Sequence, residues 1–329
     1  MENLGSVVLN GDQRPLSWNP EKGNVIREPL QPGAGHWVGA PSTYQCSDGY
    51  FLTYRYRRPR GEGRGFEGRI AHSHDGVVFD DIWMVHQRDL ETNSLERFAL
   101  TRRGLEYILY ISYVDPQDNR WRIDGIIADR PDKFDTRDRF EVFTASRIGL
   151  EAVKDPVVVR SQGLWWMYVS CASPTAAASE VSAETLHASQ DVYTTGKIYS
   201  VTGLAVSHDA VHYDWLGIVL SPLANRWDGY AARVSTVVRT SEGFLIFYDG
   251  SANVGENYEE RTGLAVTADL AHLTRVSVSQ PWLVSPNGTG ALRYVDFLEW
   301  EDKYHFFYEY ARADGSHELR MHCVTKGPE

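Results

Sequence analysis

Two acidic residues open aromatic, strand-like runs: Glu96 in Leu95-Glu96-Arg97-Phe98 and Asp155 in Lys154-Asp155-Pro156-Val157. Arg97, Arg233 and Arg293 lie at or near equivalent openings, with a further acid at Asp296. A carboxylate of raised proton affinity can donate a proton, an ionised one can accept it, and an arginine fork can hold hydroxyl or phosphate oxygens. Structural explanations stand beside these. Asp-Pro commonly starts a turn, which would account for Asp155. A carboxylate such as Glu96 is costly to bury unless paired, and Arg97 or Arg233 would serve as its partner.

The elements that would position these residues form a degenerate repeat. Each copy has an opening strand, a short turn and an aromatic strand. The aromatic runs are Tyr50-Phe51-Leu52-Thr53-Tyr54, Tyr107-Ile108-Leu109-Tyr110-Ile111, Trp165-Trp166-Met167-Tyr168, Phe244-Leu245-Ile246-Phe247-Tyr248 and His305-Phe306-Phe307-Tyr308. A third strand follows, as in Gly203-Leu204-Ala205-Val206-Ser207 and Gly263-Leu264-Ala265-Val266-Thr267. Three of these run into turns at Asp75-Gly76, Asp209-Ala210 and Asp269-Leu270, pairs that suit tight hairpins. Short β-branched and aromatic runs bounded by such turns are the strand signature. Only residues 175–187, rich in Ala and Ser, read as a short helix or an insertion loop.

Five such units predict an all-β, single-domain, five-bladed β-propeller spanning residues 1–329. The fifth unit stops after three strands. The N-terminal arm, residues 1–35, is therefore expected to supply the closing strand, with Ser6-Val7-Val8-Leu9 as the candidate. Inner strands that line one axis bring their openings together, and alignment of the copies puts Ala40, Glu96, Asp155, Val234 and Val295 on that ring. His36 and Trp37 lie just upstream of Ala40.

Composition narrows the function classes. Net charge is −11 and the sequence pI is near 5.5, which disfavours a nucleic-acid partner, since that binding rests on neutralising phosphates. No apolar stretch approaches the roughly 18 residues of a membrane helix, and no secretory leader is visible, so a cytoplasmic location is expected; a mature secreted chain would look the same. Cys46, Cys171 and Cys323 are odd in number and lack metal-ligand spacing, so no disulfide framework, metal or cofactor is expected. Residues 55–69, RYRRPRGEGRGFEGR, read as a solvated hairpin tip; the alternative is a lid that grips an anionic or hydroxylated ligand. The run Glu256-Asn257-Tyr258-Glu259-Glu260-Arg261 reads as an exposed hairpin from which Glu260 or Arg261 reaches the centre only as an alternative. Asp249-Gly250 reads as a turn. Twelve per cent of residues are aromatic, fitting both a sheet core and stacking platforms for sugar rings.

The opening Lys154-Asp155-Pro156-Val157-Val158-Val159, followed by Gly163-Leu164-Trp165-Trp166-Met167-Tyr168, resembles the five-bladed glycosidases of families 43, 32, 68, 117 and 130. Leu95-Glu96-Arg97-Phe98 resembles the Glu-Arg opening of some family 43 members, and Phe247-Tyr248-Asp249-Gly250 and Ser73–Gly76 share the same style. The likeness spans residues about 36–323 and is a pattern of short motifs. It implies a glycosidase acting on a small, furanose-containing or other oligosaccharide or glycoside. In that reading Asp155 is the general acid, its proton affinity raised by burial and by the charge of Glu96. Glu96 orients and tunes it, or acts as base in the reverse assignment. Arg97, Arg233, Arg293, His36, Trp37 and Asp296 bind substrate. The chain departs from the family where its first blade carries the Asp that serves as base; here stands Ala40. His36 and Asp296 are candidate substitutes. Phosphate as nucleophile, or a binding or repurposed propeller, are the alternative outcomes.

Overall fold

A computed structural model describes residues 18–325. Strand β1 (Asn24–Arg27) precedes four strands, β2 (Trp37–Cys46), β3 (Gly49–Arg57), β4 (Gly65–Ser73) and β5 (Asp80–His86). A second group follows: β6 (Leu95–Arg103), β7 (Glu106–Val114), β8 (Trp121–Ala128) and β9 (Phe140–Phe143). The third comprises β10 (Ala152–Ser161), β11 (Leu164–Pro174), β12 (Ile198–Ser207) and β13 (Asp214–Leu220). The fourth comprises β14 (Ala231–Thr240), β15 (Gly243–Ser251), β16 (Arg261–Thr267) and β17 (Thr274–Arg275). The last comprises β18 (Leu292–Trp300), β19 (Lys303–Ala311) and β20 (His317–Thr325). Within every group, successive strands pair antiparallel.

The expected strand copies are thus present. β1 lies antiparallel against β20 as the outer strand of the last group. It comes from the N-terminal arm but from Asn24–Arg27; the candidate Ser6–Leu9 lies outside the described residues. The segment 175–187 holds a turn of 3-10 helix, Ala176–Ala178, and a short α-helix, Ala183–His187, within the long excursion from β11 to β12.

Apolar residues occupy the faces between groups. Phe51 and Ile70 of the first meet Leu109 and Ile111 of the second. Ile108 and Tyr110 pack with Val153 and Met167 of the third, whose Tyr168 and Leu204 pack with Ile246 and Tyr248 of the fourth. Phe247 and Leu264 meet Phe306 and Tyr308 of the last group. Phe307 and Leu319 of that group pack on Leu52 and Tyr54 of the first. The third-strand glycines of the repeat have a packing cause: a Cβ at Gly125, Gly203 or Gly263 would overlap the rings of Phe140, Trp215 and Trp227 respectively.

Three of the turns after the third strands, those following β4, β12 and β16, are built alike. Asp75, Asp209 and Asp269 each accept two downstream backbone N–H groups through Oδ1, while the preceding Ser or Thr oxygen accepts two more. These donors hold the Asp75 carboxyl down at about 2. Ordinary local hydrogen bonding therefore explains this motif. No helix among the described residues is long and apolar enough to cross a membrane.

Candidate active site

All five opening strands carry one extra residue at the same place, a bulge between Gly39 and Ser42, Leu95 and Phe98, Lys154 and Val157, Val234 and Thr236, and Arg293 and Asp296. Bulges re-aim side chains. The register puts Ala40, Glu96, Asp155, Val234 and Tyr294 at the equivalent position. Tyr294, not Val295, is thus the ring member from β18, because Arg293, paired with Glu309, is the last residue before the bulge. Ala40, Asp155 and Tyr294 hold left-handed backbone, with φ of 51°, 55° and 54°, a conformation that L residues adopt at a cost.

Glu96 lies between two arginines of β3. Arg55 Nε donates to its Oε2 at 2.8 Å and Arg57 Nη1 to its Oε1 at 3.1 Å. Burial would raise the Glu96 proton affinity, but Arg55, Lys154, Arg57 and Arg293 together hold it well below the usual carboxylate range. Its partners are therefore not the expected Arg97 or Arg233. Residues 55–69 correct the solvated-tip expectation in the same way, since Arg55, Arg57 and Arg64 are buried. Strand β3 alternates, and Arg55 and Arg57 fall on the face that meets the buried acids. Only the tip around Arg58 and Arg60 is exposed.

Asp155 is 2 % exposed. Its Oδ1 accepts the Arg97 backbone N–H at 3.3 Å. Its Oδ2 lies 3.4 Å from the Lys154 ammonium and accepts the Tyr294 hydroxyl at 3.5 Å. Lys154 also sits over the rings of Trp121 and Tyr193, at 5.0 and 4.9 Å. The Arg97 side chain points elsewhere: Nη1 donates to Ser235 O at 2.6 Å and Nη2 lies 3.6 Å from Asp296 Oδ2. Asp296 accepts the Thr43 N–H at 2.5 Å, and burial raises its proton affinity. It stands two residues beyond the ring position.

Sequence reasoning missed the second central acid, Asp249. It is a β15 residue opposite Arg233, not a turn residue, and is 3 % exposed. Both of its oxygens accept the Tyr294 N–H, at 3.1 and 3.0 Å. Burial pushes its carboxyl up to about 7 against the opposing pull of that N–H and of Arg233, Arg293 and Arg97. Tyr294 thus joins the two acids, its amide on Asp249 and its hydroxyl on Asp155. The guanidinium groups of Arg293, Arg55 and Arg97 lie 5.0, 5.8 and 5.9 Å from its ring centre. The available signal was positional, because Asp249 falls on the aromatic strand where Glu309 falls in the last copy.

Glu309 is the hub on the opposite side. Arg293 donates to its Oε1 through Nε and Nη2, at 3.0 and 2.7 Å, and His317 Nδ1 lies 2.8 Å from the same oxygen. Its Oε2 accepts the Ala40 N–H at 3.1 Å. Gly39 makes that approach possible, since a Cβ there would collide with the Glu309 side chain. Arg293 also donates to Glu260 at 2.7 Å, and Glu260 ion-pairs with Arg233. Glu260 is 1 % exposed, so the reading of 256–261 as an exposed hairpin gives way to its alternative. Trp37 stacks on His317, with ring centres 4.4 Å apart, and lies under Arg57 and Arg293. His36 is half-buried one residue before β2, its carbonyl accepting the His317 N–H. The structure therefore gathers Glu96, Asp155, Arg233, Arg293 and Trp37 into one charged centre, with Arg97 and Asp296 below it and His36 at its edge.

Among the described residues no cluster of His, Cys, Asp and Glu has the makings of a metal site. Several buried donors lack a hydrogen-bond partner there: Arg55 Nη2, Arg97 Nε, Arg233 Nε and Asn257 Nδ2. Buried donors are normally satisfied, so the centre carries more N–H donors than its own acceptors pair with.

No family model matches this chain and no curated protein matches its sequence. Solved structures do match its fold. A glycosyl hydrolase from Bacteroides ovatus aligns with a TM-score of 0.62 at 12 % identity, covering 99 % of both chains. The GH43_1 enzyme from Xanthomonas citri complexed with xylotriose aligns at 0.59 and 13 % identity, covering 92 % of this chain and 91 % of the other. A β-1,2-mannobiose phosphorylase from Listeria innocua, in complex with β-1,2-mannobiose, aligns at 0.57 and 14 % identity over 96 % and 94 %. The chain has the fold of the propeller-type glycoside hydrolases, and at these identities the likeness is one of fold.

Proposed function

We propose that this protein is a five-bladed propeller enzyme that cleaves the glycosidic bond of a small oligosaccharide or glycoside, with water or phosphate as acceptor. Five antiparallel groups, packed in succession and last against first, support the blade count, with β1 completing the final blade. The observation that carries the chemistry is Tyr294 holding Asp155 and Asp249 at its two ends. Glycoside cleavage uses one carboxyl to protonate the leaving oxygen and a second group to activate or replace water. Asp249, buried and pushed up to about 7, is suited to carry the proton near neutral pH. Asp155, facing the Lys154 ammonium, serves as its carboxylate partner. This reverses the acid role expected of Asp155 and keeps it in the reaction. Glu96 is the fixed anion that holds Arg55 and Arg57 and acts on Asp155 through Lys154. Arg233 and Arg293, with Trp37 beneath, face the sugar hydroxyls.

A second reading has one observation in its favour. Ala40 carries no carboxylate, and the Glu309 carboxylate reaches its backbone instead. A phosphorylase needs no water-activating base there, and a binding propeller needs none at all. The test is product formation from an oligosaccharide panel with and without phosphate, comparing wild type with Asp155→Asn and Asp249→Asn. General acid–base groups contribute about 10²–10⁴-fold. Each variant should lose that much turnover while still binding the sugar. Phosphate-dependent cleavage would identify a phosphorylase. Binding without cleavage in either condition would favour the binding propeller.

A further inference from the structure

A cavity lies where two excursions meet. The β3–β4 hairpin tip reaches the β11–β12 excursion: Arg60 Nη2 donates to Thr194 Oγ1, and Arg64 Nη1 donates to Gln190 O at 3.0 Å. The space between them is about 540 Å³ and is lined by Arg60, Arg64, Gln87, Gln190, Thr194 and Thr195, among others. That volume lies within the range of small-molecule sites. No carboxylate belongs to this lining among the described residues, in a chain of net charge −11.

The cavity holds an unused, buried cationic donor. Arg64 is 6 % exposed, and its Nη2 has no hydrogen-bond partner among the described residues; Gln87 Oε1, from the same lining, also has none. Arg64 Nη1 lies 3.2 Å from Asp191 Oδ2, so one end of the guanidinium is anchored while Nη2 is left without a partner. Its backbone is left-handed, with φ of 45°, following Gly63 at 109°. A chain of contacts runs from here to the centre: Asp191 accepts the Tyr258 hydroxyl, Tyr258 lies under Arg57 at 4.3 Å, and Arg57 holds Glu96.

We propose that this cavity is an oxyanion site that selects a negatively charged ligand, in the first instance the carboxylate of an acidic sugar unit. Arg64 and Arg60 supply the charge, and Thr194, Thr195 and the Gln87 and Gln190 amides supply uncharged polar partners. An arginine pair suits a planar carboxylate or a phosphate, which both take paired N–H donors. The proposal rests on the reading above only in naming a sugar as the carrier of the charge.

The experiment is calorimetric titration of the full chain with D-glucuronate, D-glucose and inorganic phosphate at low salt. It is repeated on Arg60→Gln, Arg64→Gln and Asp155→Asn. Charge-assisted hydrogen bonds are worth enough to predict glucuronate bound about tenfold more tightly than glucose. That preference should fall about tenfold in Arg60→Gln, whose exposed side chain can be changed without opening the core, and at least as far in Arg64→Gln. Tighter binding of phosphate than glucuronate, with the same arginine dependence, would keep the oxyanion site and make phosphate its ligand. Equal binding of glucuronate and glucose with no phosphate binding, or anion binding unchanged in Arg60→Gln, would overturn the proposal. Asp155→Asn should bind glucuronate as wild type does, so loss of turnover there, or its absence in wild type, bears only on the catalytic reading.

Discussion

Replacing Asp249 by Asn removes one titration and little else, because Asn Oδ1 can still accept the Tyr294 N–H. The carboxyl stands at about 7 in the folded protein against an ordinary value of 3.8. The folded chain therefore keeps a proton across that interval after the unfolded chain has released it. By linkage, stability falls as pH rises from about 4 through about 7, then levels off. At 1.36 kcal/mol per tenfold in proton activity, the full loss is on the order of 4 kcal/mol. Asn has no proton to lose. The Asp249→Asn protein should match wild type near pH 4 and exceed its stability by on the order of 4 kcal/mol above pH 7. Urea denaturation at fixed ionic strength, from pH 4.5 to 8.5, gives the difference at each pH, and titrations shared by both proteins cancel. A difference that stays constant across this range, or a variant weaker than wild type at pH 8, would refute the assignment of a buried, near-neutral carboxyl to Asp249.

The opposite sign applies to Glu96 and Glu309, which their cations hold below the ordinary value of 4.5. Their contribution is complete above that value and is lost as pH falls below it, so acid unfolding should begin below about 4.5 and shift upward in Arg55→Met. Glu309→Gln keeps an acceptor oxygen but removes the negative charge that Arg293 and Arg55 share, and breaking one member of a buried ion cluster costs about 3–5 kcal/mol, to be read from a urea midpoint. Gly39→Ala should likewise destabilise by roughly 1–3 kcal/mol, as overpacking does, because the added methyl displaces Glu309; a denaturation midpoint equal to wild type would contradict the packing described at β2.

The strand copies were legible in the sequence because each aromatic strand is flanked by turn residues and three of the third strands end in Ser- or Thr-led Asp turns, local features that local chemistry fixes. The prominence of Glu96 and Asp155 was legible for a similar reason, since both fall on the bulged opening of their strands. Asp249 was not. Its Asp-Gly text has the composition of a turn, and only its register opposite Arg233 shows that it is an interior strand residue. The run 55–69 misled in the same manner, because an arginine on an alternating strand has the same letter whether it faces water or a buried acid.

By itself, then, the sequence determined which segments are strands, where they turn, and that their openings concentrate charge; periodicity and turn chemistry act over a few residues and are written in order. Only the tertiary structure decided which charges meet. Arg55 reaches Glu96 across 41 positions and Tyr294 reaches Asp155 across 139. Pairings over such separations depend on how the sheets pack, and the proton affinity of each buried acid follows from the partners that packing brings to it.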